Sequence, residues 1–317
     1  NDFVDDGLQC IPPSSSGLWL FLIPSAICSV FTLLANPLVL VAILKKEKLR
    51  KETRYLLLAN IMVSDLIFLL FNTVIATCNA IRWYLHKIIC FTMIAFSFAA
   101  YCSCVLTFTV MVIDTYIAIC FPLRYYSLLS LPRTRKVLLA IWIFSILYPL
   151  CIFLATEAFD MHPLEKQNIC LMLYYGPNVK RNNLVTVVCA FALFFLLICT
   201  VMITYLYIRL YKMTKESGIW ERRFSRARVT LLTHSILLGL YIIPAFLLAA
   251  EILVFRDNEF GMTARLWLSA ANNAVIMMMP RALAPVLYGL RYREISATLK
   301  HWFSRKRVSC HSSDICN

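Results

Sequence analysis

Apolar residues in this chain gather into seven long segments that are separated by shorter polar stretches. A helix needs about 20 predominantly apolar residues to cross the hydrocarbon core of a bilayer, which is about 30 Å thick. Every segment reaches that length, and little chain is left over for a soluble domain. The pattern therefore predicts an all-α fold, a bundle of seven membrane-spanning helices. The seven segments are 19–44, 55–77, 90–120, 136–156, 183–211, 229–254 and 266–289.

Composition supports this prediction. Hydrophobic residues make up 61% of the chain and the mean hydropathy is +0.73, whereas a soluble domain is about 45–50% apolar. We expect three regions: an extracellular N-terminus at 1–18, a seven-transmembrane domain at 19–303 and a cytoplasmic tail at 304–317. The transmembrane domain ends in a short amphipathic inner helix after the seventh segment. Segment 1 is too long for the apolar core of a secretory signal, so we interpret it as a span.

The net charge of +14 would suit a nucleic-acid partner, but its distribution does not. The loops after segments 1, 3 and 5 and the tail hold 22 Lys and Arg residues, and the opposite side holds 7. Short loops rich in Lys and Arg stay cytoplasmic. We therefore expect a plasma-membrane protein with its N-terminus outside, its tail inside and no nucleic-acid partner. The basic loops attract anionic membrane lipid, and the possibility that they also dock a cytosolic protein stays open.

Most of the 13 cysteines lie inside apolar segments, where they suit small core positions. Four others, Cys10, Cys78, Cys90 and Cys170, lie near the outer face, which is an oxidising compartment. Four cysteines allow three pairings, and the spacing alone does not choose among them. In the tail, Cys310 and Cys316 follow a basic stretch and are candidates for palmitoylation, with free thiols as the alternative.

Polar motifs inside the apolar segments narrow the class. The run 58–66 reads LANIMVSDL, the run 114–125 reads DTYIAICFPLRY, and the run 285–291 reads PVLYGLR. Together they resemble the rhodopsin-like (class A) G-protein-coupled receptors, and the resemblance covers roughly residues 19–303. Other positions that match the family pattern on the expected helices are Asn36, Asp65, Cys90, Trp142, Cys170, Pro244, Pro285 and Tyr288.

Within this class, the runs 116–125, 231–235 and 288–294 are similar to those of odorant receptors. They are also similar to those of a small group of vertebrate orphan receptors related to the receptors of fish olfaction. Both assignments, odorant receptor and orphan receptor, stay open at this point. The resemblance implies a Cys90–Cys170 disulfide. It also implies two partners, an extracellular small-molecule ligand and a heterotrimeric G protein, and no cofactor. The switch residues it implies at the G-protein face are Asp114, Thr115, Tyr116, Pro244, Pro285 and Tyr288.

The chain departs from the family pattern at three switch positions. Thr115 replaces the helix 3 Arg, Ile242 replaces the helix 6 Trp, and Ala284 replaces the helix 7 Asn. A Thr carries no charge and cannot take over the contacts of an Arg. We expect Asp114 to pair with Arg124 or another inner-loop base, or to take a raised pKa. These departures leave a second reading open, a weakly coupling or non-signalling receptor of the same fold.

Arg281 is an ionisable residue within an apolar segment, where such residues usually face a partner in the bundle. Asp65 lies ten residues into segment 2, about 15 Å from its inner end at 1.5 Å per residue. Arg281 lies eight residues before the inner end of segment 7, about 12 Å deep by the same rise. In the family, helices 2 and 7 are neighbours, and the helix 2 Asp borders a pocket that binds sodium. We expect Arg281 to fill that pocket and to pair bidentately with Asp65; the alternative is that it reaches to the inner interface.

The resemblance implies a ligand pocket between the outer halves of helices 3, 5, 6 and 7. Amine receptors of the class carry an Asp where this chain has Ser97, so a protonated amine is not expected as the principal ligand. The rest of the wall is apolar and aromatic, which suits a small apolar or lipid-like molecule, and Glu251 is the one carboxylate available to a polar group. That these side chains merely pack stays open. The predicted pocket residues are Ser97, Phe98, Tyr101, Ala245, Phe246, Ala249, Glu251, Ala274 and Met278.

The sequence lacks the motifs of other function classes. It has no Gly-rich phosphate loop, no His-Glu-x-x-His pair and no paired His/Cys set, so neither an enzyme nor a metal site is predicted. Transporters usually show paired halves with broken helices, and the chain has no internal repeat.

Overall fold

The structure is a computed structural model. It describes residues 15–81, 83, 85–157, 166–167, 170, 183–216, 235–237, 239–244, 246–247, 268, 271–272, 277–291 and 297.

Long helices make up most of the described chain, and short helical turns join some of them. In chain order the elements are α1 (Ser15–Lys45), α2 (Glu47–Arg50), α3 (Thr53–Ala80), β1 (Leu85–His86), α4 (Lys87–Cys120), a 3₁₀ turn (Pro122–Arg124), α5 (Tyr125–Leu128), α6 (Leu131–Glu157), β2 (Lys166–Gln167), α7 (Asn183–Glu216), α8 (Ser235–Pro244) and α9 (Met279–Arg291).

Five helices among the described residues are long and apolar enough to cross a membrane. They are α1, α3, α4, α6 and α7, which correspond to the first five predicted segments. The helices extend a few residues beyond the apolar segments because polar residues continue the same helix past the hydrocarbon. The sixth and seventh predicted segments are represented by α8 and α9, and their remaining parts, like the predicted amphipathic inner helix, lie largely outside the described residues.

A two-stranded antiparallel ladder departs from the all-α prediction. Leu85 pairs with Gln167 and His86 with Lys166. Strands of two residues carry no alternation of apolar and polar positions, so the sequence pattern could not indicate them. The ladder joins the start of α4 to the predicted outer loop.

The distribution of side chains is that of a membrane protein. Ile27, Leu34, Leu70 and Val201 are each about 60% exposed, and a soluble protein rarely exposes so many large apolar side chains over long helices. Polar residues instead lie inside the bundle. The core forms where α3 packs against α1 and α4, α4 packs against α6 and α7, and α9 packs against α1.

Candidate functional site

An acidic and a basic side chain are buried together in the centre of the bundle. Asp65 on α3 is 0% exposed and Arg281 on α9 is 1% exposed. The Arg281 Nε lies 3.4 Å from the Asp65 Oδ1. Ionisable groups are costly in a membrane interior unless they face a partner, and here each faces the other. The side chain of Arg281 is therefore directed into the bundle and does not extend to the inner interface.

Aromatic rings and a carbonyl hold the guanidinium in place. The Arg281 Cζ lies 3.5 Å from the centroid of the Phe68 ring, and the rings of Tyr101 and Tyr241 are 5.7 and 5.6 Å away. The Nη1 donates to the carbonyl of Met277. A cation over an aromatic face is attracted by the negative face of the ring, more so where water is excluded.

The bidentate fork expected between Arg281 and Asp65 is absent from this arrangement. The Nε contact is an ion pair without hydrogen-bond geometry, and neither Nε nor Nη2 has a hydrogen-bond partner within the part of the chain that the structure describes. The cause is local: stacking on Phe68 fixes the guanidinium plane, and the Met277 carbonyl takes the Nη1.

The Asp65 carboxylate receives its hydrogen bonds from two other helices. The Tyr241 hydroxyl on α8 donates to Oδ2 at 2.7 Å, and the Cys104 thiol on α4 lies 3.6 Å from Oδ1. The Tyr101 hydroxyl, also on α4, donates to the Tyr241 carbonyl. Four helices thus meet at one carboxylate. Sequence reasoning missed Tyr241, although a hydroxyl inside an apolar segment was a signal for it.

The turn of α8 that ends at Pro244 is hydrogen-bonded to its neighbours. Pro244 is buried, and its carbonyl accepts a hydrogen bond of 3.4 Å from the Asn272 Nδ2. The Tyr241 carbonyl, which Tyr101 caps, lies in the preceding turn. Tyr101 and Asn272 thus donate to two carbonyls of the turn that ends at Pro244, and they link this turn to neighbouring segments.

The predicted ligand-pocket residues on helix 3 lie together on α4. Ser97 and Tyr101 are buried, and Phe98 stacks on Tyr148 of α6 with ring centroids 5.4 Å apart. The Ser97 hydroxyl has no hydrogen-bond partner among the described residues.

Of the other predicted pocket residues, Met278 belongs to the same buried core cluster as Tyr101. Met278 is buried, whereas Phe246 is 41% exposed. The predicted wall residues Ala245, Ala249, Glu251 and Ala274 lie outside the described residues.

A groove of about 950 Å³ lies elsewhere, along the C-terminal part of α7. Aromatic and basic side chains of that helix line it: Tyr207, Ile208, Tyr211, Lys212 and Lys215. It is remote from Ser97 in the fold and is not the predicted ligand site.

At the C-terminal end of α4, Asp114 is buried and accepts a hydrogen bond of 2.8 Å from the Tyr125 hydroxyl on α5. The sequence predicts Arg124 or another base as a partner of Asp114, and that pairing stays a prediction. The helical turns after α4 also bring the Tyr125 phenol to this carboxylate. Burial, and next the Asp114 charge, raise the pKa of Tyr125 above its ordinary value. Thr115, where the family has Arg, donates its hydroxyl back to the Met111 carbonyl at 2.9 Å.

Of the other predicted switch residues, Tyr116 lies on α4 close to Asp114, and Pro285 and Tyr288 lie on α9. The Tyr116 ring meets Phe121 edge to face, with centroids 6.2 Å apart. Pro285 and Tyr288 on α9 are buried, and the Tyr288 hydroxyl lies 3.8 Å from the Met111 sulfur. α4 and α9 therefore meet through Met111 and Tyr288 near their C-terminal ends.

The outer loop is fastened to the bundle at three points. Cys90 and Cys170 form a disulfide with their Cα atoms 5.7 Å apart. Asn79 at the end of α3 donates its Nδ2 to the Cys170 carbonyl and accepts from the Cys170 N–H, each at 2.8 Å. The β1–β2 ladder is the third point. Sequence reasoning missed the Asn79 contact.

A polar network joins helices 2, 3 and 4 beside the core. The Asn60 Nδ2 donates to Thr107 Oγ1 at 2.8 Å and to Ser103 Oγ at 3.3 Å, and the Trp142 Nε1 donates to the Asn60 Oδ1 at 2.9 Å. One amide thus connects α3, α4 and α6.

The palmitoylation candidates Cys310 and Cys316 lie outside the described residues.

Comparisons with known proteins give the family. The family model described as the 7 transmembrane receptor (rhodopsin family) matches residues 35–307. The human protein named Probable G-protein coupled receptor 148 is 36% identical over 297 residues, covering 93% of this chain and 85% of that protein.

Odorant receptors are also similar to the chain. Odorant receptor 131-2 of Danio rerio is 28% identical over 280 residues, which cover 85% of this chain and 82% of that receptor. Olfactory receptor 4E2 of Mus musculus is 22% identical over 310 residues and 92% of both chains. The resemblance to orphan and odorant receptors is confirmed, and the chain belongs to the rhodopsin family of seven-transmembrane receptors, the class A G-protein-coupled receptors, which are multi-pass membrane proteins of signal transduction.

Proposed function

We propose that this receptor binds a small, apolar extracellular ligand and signals by opening its cytoplasmic face to a heterotrimeric G protein. The proposal takes the N-terminus to be outside and the tail cytoplasmic, as the 22 basic residues of one side favour. A ligand shifts such an equilibrium only by its difference in affinity for the two states. The ligand side and the coupling side can therefore be tested separately.

The wall of α4 carries the ligand proposal. Ser97 places a neutral hydroxyl where a cation-binding receptor of the class would need a carboxylate, and Phe98 and Tyr148 supply stacked aromatic surface beside it. A mostly apolar wall with few polar groups suits a small hydrophobic molecule. Ala245, Phe246, Ala249, Glu251 and Ala274 are the proposed contributions of the other helices.

A pair of probe series tests the ligand class. The purified receptor is heated with n-alkanols or with n-alkylamines of equal chain length, and its apparent melting temperature is measured. We expect the alkanols to stabilise the wild type more than the amines, and the difference to vanish in Phe98→Ala. The matched control is Phe144→Ala, since Phe144 is half exposed on α6. Equal stabilisation of Phe98→Ala and Phe144→Ala would place the binding elsewhere.

A second candidate function rests on Thr115. Its hydroxyl is turned back to the Met111 carbonyl, and no positive charge stands at this position. This favours a receptor that binds its ligand but couples weakly or not at all, and that modulates other receptors or sequesters the ligand.

The two candidates differ in a cell-based measurement. G-protein activation across the major Gα classes is recorded for wild type, Thr115→Arg and the uncharged control Thr115→Val at equal surface expression. Activity in the wild type supports the signalling receptor. Silence in wild type and Thr115→Val with activity in Thr115→Arg supports the non-signalling one, and silence in all three removes Thr115 as the cause.

The tail proposal is separate. Cys310 and Cys316 follow a basic stretch that attracts the inner leaflet, and palmitate on either would hold the tail against it. Metabolic labelling of the wild type and of Cys310→Ser/Cys316→Ser tests this, and equal labelling of the two would contradict it.

A further inference from the structure

The resemblance to the family implies a sodium ion beside the helix 2 carboxylate, and the residues present do not fit one. A bound cation needs oxygen ligands and room next to its carboxylate. Here the Asp65 Oδ2 accepts from Tyr241, and the Oδ1 faces both the Cys104 thiol and the Arg281 Nε. The position that would attract a cation already faces a positive charge, and a second one would be repelled by it.

The guanidinium is held there by the packing of the bundle. Phe68 lies against its face, the Met277 carbonyl accepts from its Nη1, and the side chain is 1% exposed. Arg281 enters from α9, whereas Asp65 and Phe68 are on α3. Withdrawing the guanidinium would strip one buried charge of its partner, and a buried ion without its partner is strongly unfavourable.

We propose that Arg281 is the permanent counter-cation of Asp65 and that it closes this site to sodium. The receptor is then indifferent to monovalent cations at this position, and shortening the Arg281 side chain to an uncharged one opens a sodium site that the wild type lacks. This inference depends neither on the identity of the ligand nor on G-protein coupling, so the failure of either proposal leaves the other standing.

The test is thermal. The full-length receptor, purified as a fluorescent fusion, is heated in sodium chloride or in choline chloride at equal ionic strength. The apparent melting temperature is read from the remaining monodisperse fraction. The wild type should melt at the same temperature in both salts. Arg281→Met, which gives a shorter, unbranched side chain without charge, should melt higher in sodium, by about 3–6 °C at sodium about ten times its dissociation constant.

The matched control removes the carboxylate as well. Asp65→Asn/Arg281→Met should show no difference between the salts, because no charge remains to bind sodium. If Arg281→Met does not fold, Arg281→Gln takes its place. The wild-type measurement needs no variant and can overturn the proposal by itself. Sodium stabilisation of the wild type would overturn the proposal. So would a sodium effect of equal size in the single and double variants, since the ion would then bind elsewhere.

Chemical rescue gives a further readout. Arg281→Ala leaves a space shaped for a guanidinium, and methylguanidinium at low concentration should raise its melting temperature. The same compound should leave Arg281→Ala/Asp65→Asn unchanged. Equal responses of the two variants would show that the compound acts outside this site.

Discussion

Replacing Tyr241 with Phe removes one hydroxyl from the centre of the bundle and leaves the ring in place. That hydroxyl donates to the Asp65 Oδ2 at 2.7 Å, and both side chains are 0% exposed. The ring keeps its contact with Phe108, whose centroid is 4.8 Å away. The substitution therefore isolates one hydrogen bond between α8 and α3.

The size of the effect follows from the kind of bond. A hydrogen bond to a charged group contributes about 1.5–3 kcal/mol in proteins generally, whereas bonds between membrane helices average about 0.6 and reach about 1.7 kcal/mol. Tyr241 belongs near the upper end of the membrane range because its acceptor is a buried carboxylate. We expect a loss of about 1–2 kcal/mol, which at about 2–4 °C per kcal/mol lowers the melting temperature by about 2–8 °C.

The measurement compares apparent melting temperatures of purified fluorescent fusions at a single heating time, because unfolding of such proteins is generally irreversible. Tyr126→Phe is the matched control: it deletes the same hydroxyl from a residue that is 83% exposed. Its melting temperature should equal that of the wild type.

A double substitution tests whether Tyr241 acts through Asp65. In an Asp65→Leu background the Tyr241 hydroxyl has lost its acceptor, so Tyr241→Phe should become neutral or stabilising. The reasoning is refuted if Tyr241→Phe has the same melting temperature as Tyr126→Phe. It is also refuted if Tyr241→Phe lowers the stability of the Asp65→Leu background as much as that of the wild type.

The remaining predictions concern the other buried polar contacts. Asn60→Leu removes three interhelical hydrogen bonds and should cost about 2 kcal/mol, against about 0.6 for Thr107→Val, which removes one of them; the melting temperatures give the ratio. Asn79→Leu loses both bonds to the outer-loop backbone, so reductants should open the disulfide faster than in the wild type. Because burial and Asp114 raise the pKa of Tyr125, the unfolded phenol ionises first, and the wild type should lose more stability than Tyr125→Phe as the pH rises through about 10.

Each of these has its own contrary outcome. Equal melting temperatures for Asn60→Leu and Thr107→Val would mean that the Asn60 amide does not connect the three helices. An unchanged rate of disulfide reduction in Asn79→Leu would leave the outer loop held without that side chain. Parallel loss of stability at alkaline pH in wild type and Tyr125→Phe would assign the titration to another group.

The spans could be predicted from apolar length along single segments. The Asp65–Arg281 pair needed the depth of each residue in its segment and also the family resemblance, which implies that helices 2 and 7 are neighbours. Apolar length located α1, α3, α4, α6 and α7 to within a few residues. Depth within a segment, at about 1.5 Å per residue, placed Asp65 and Arg281 at matching levels. The short β ladder had no such signal.

What sequence reasoning missed depends on which helix faces meet. The Tyr241 contact with Asp65, and those of Asn60 with Trp142, require the relative rotation of helices that are far apart in sequence. Tyr125 was missed for another reason: an opposite charge is the first partner that a sequence suggests for a carboxylate, and the phenol that donates to Asp114 lies eleven residues on, past two helical turns.

The departures at Thr115, Ile242 and Ala284 remove polar or aromatic groups at three family positions. A residue adjacent in sequence, or one helical turn away, makes a polar contact in each case. Asp114, beside Thr115, receives the Tyr125 hydroxyl. Tyr241, beside Ile242, binds the buried carboxylate and is itself capped by Tyr101, a residue of the predicted ligand wall.

Helix 7 follows the same pattern, since Ala284 lies one turn from Arg281, which supplies the charge that meets Asp65. A ligand that moves the Tyr101 ring would act on the Tyr241 carbonyl, and through the same residue on the Asp65–Arg281 pair. These two hydrogen bonds connect the predicted ligand wall to the bundle centre without a Trp at position 242, so the proposed signalling function does not depend on that residue. Thr115 lacks the charge of the family Arg, so the comparison of wild type with Thr115→Arg is the test that separates the two proposed functions.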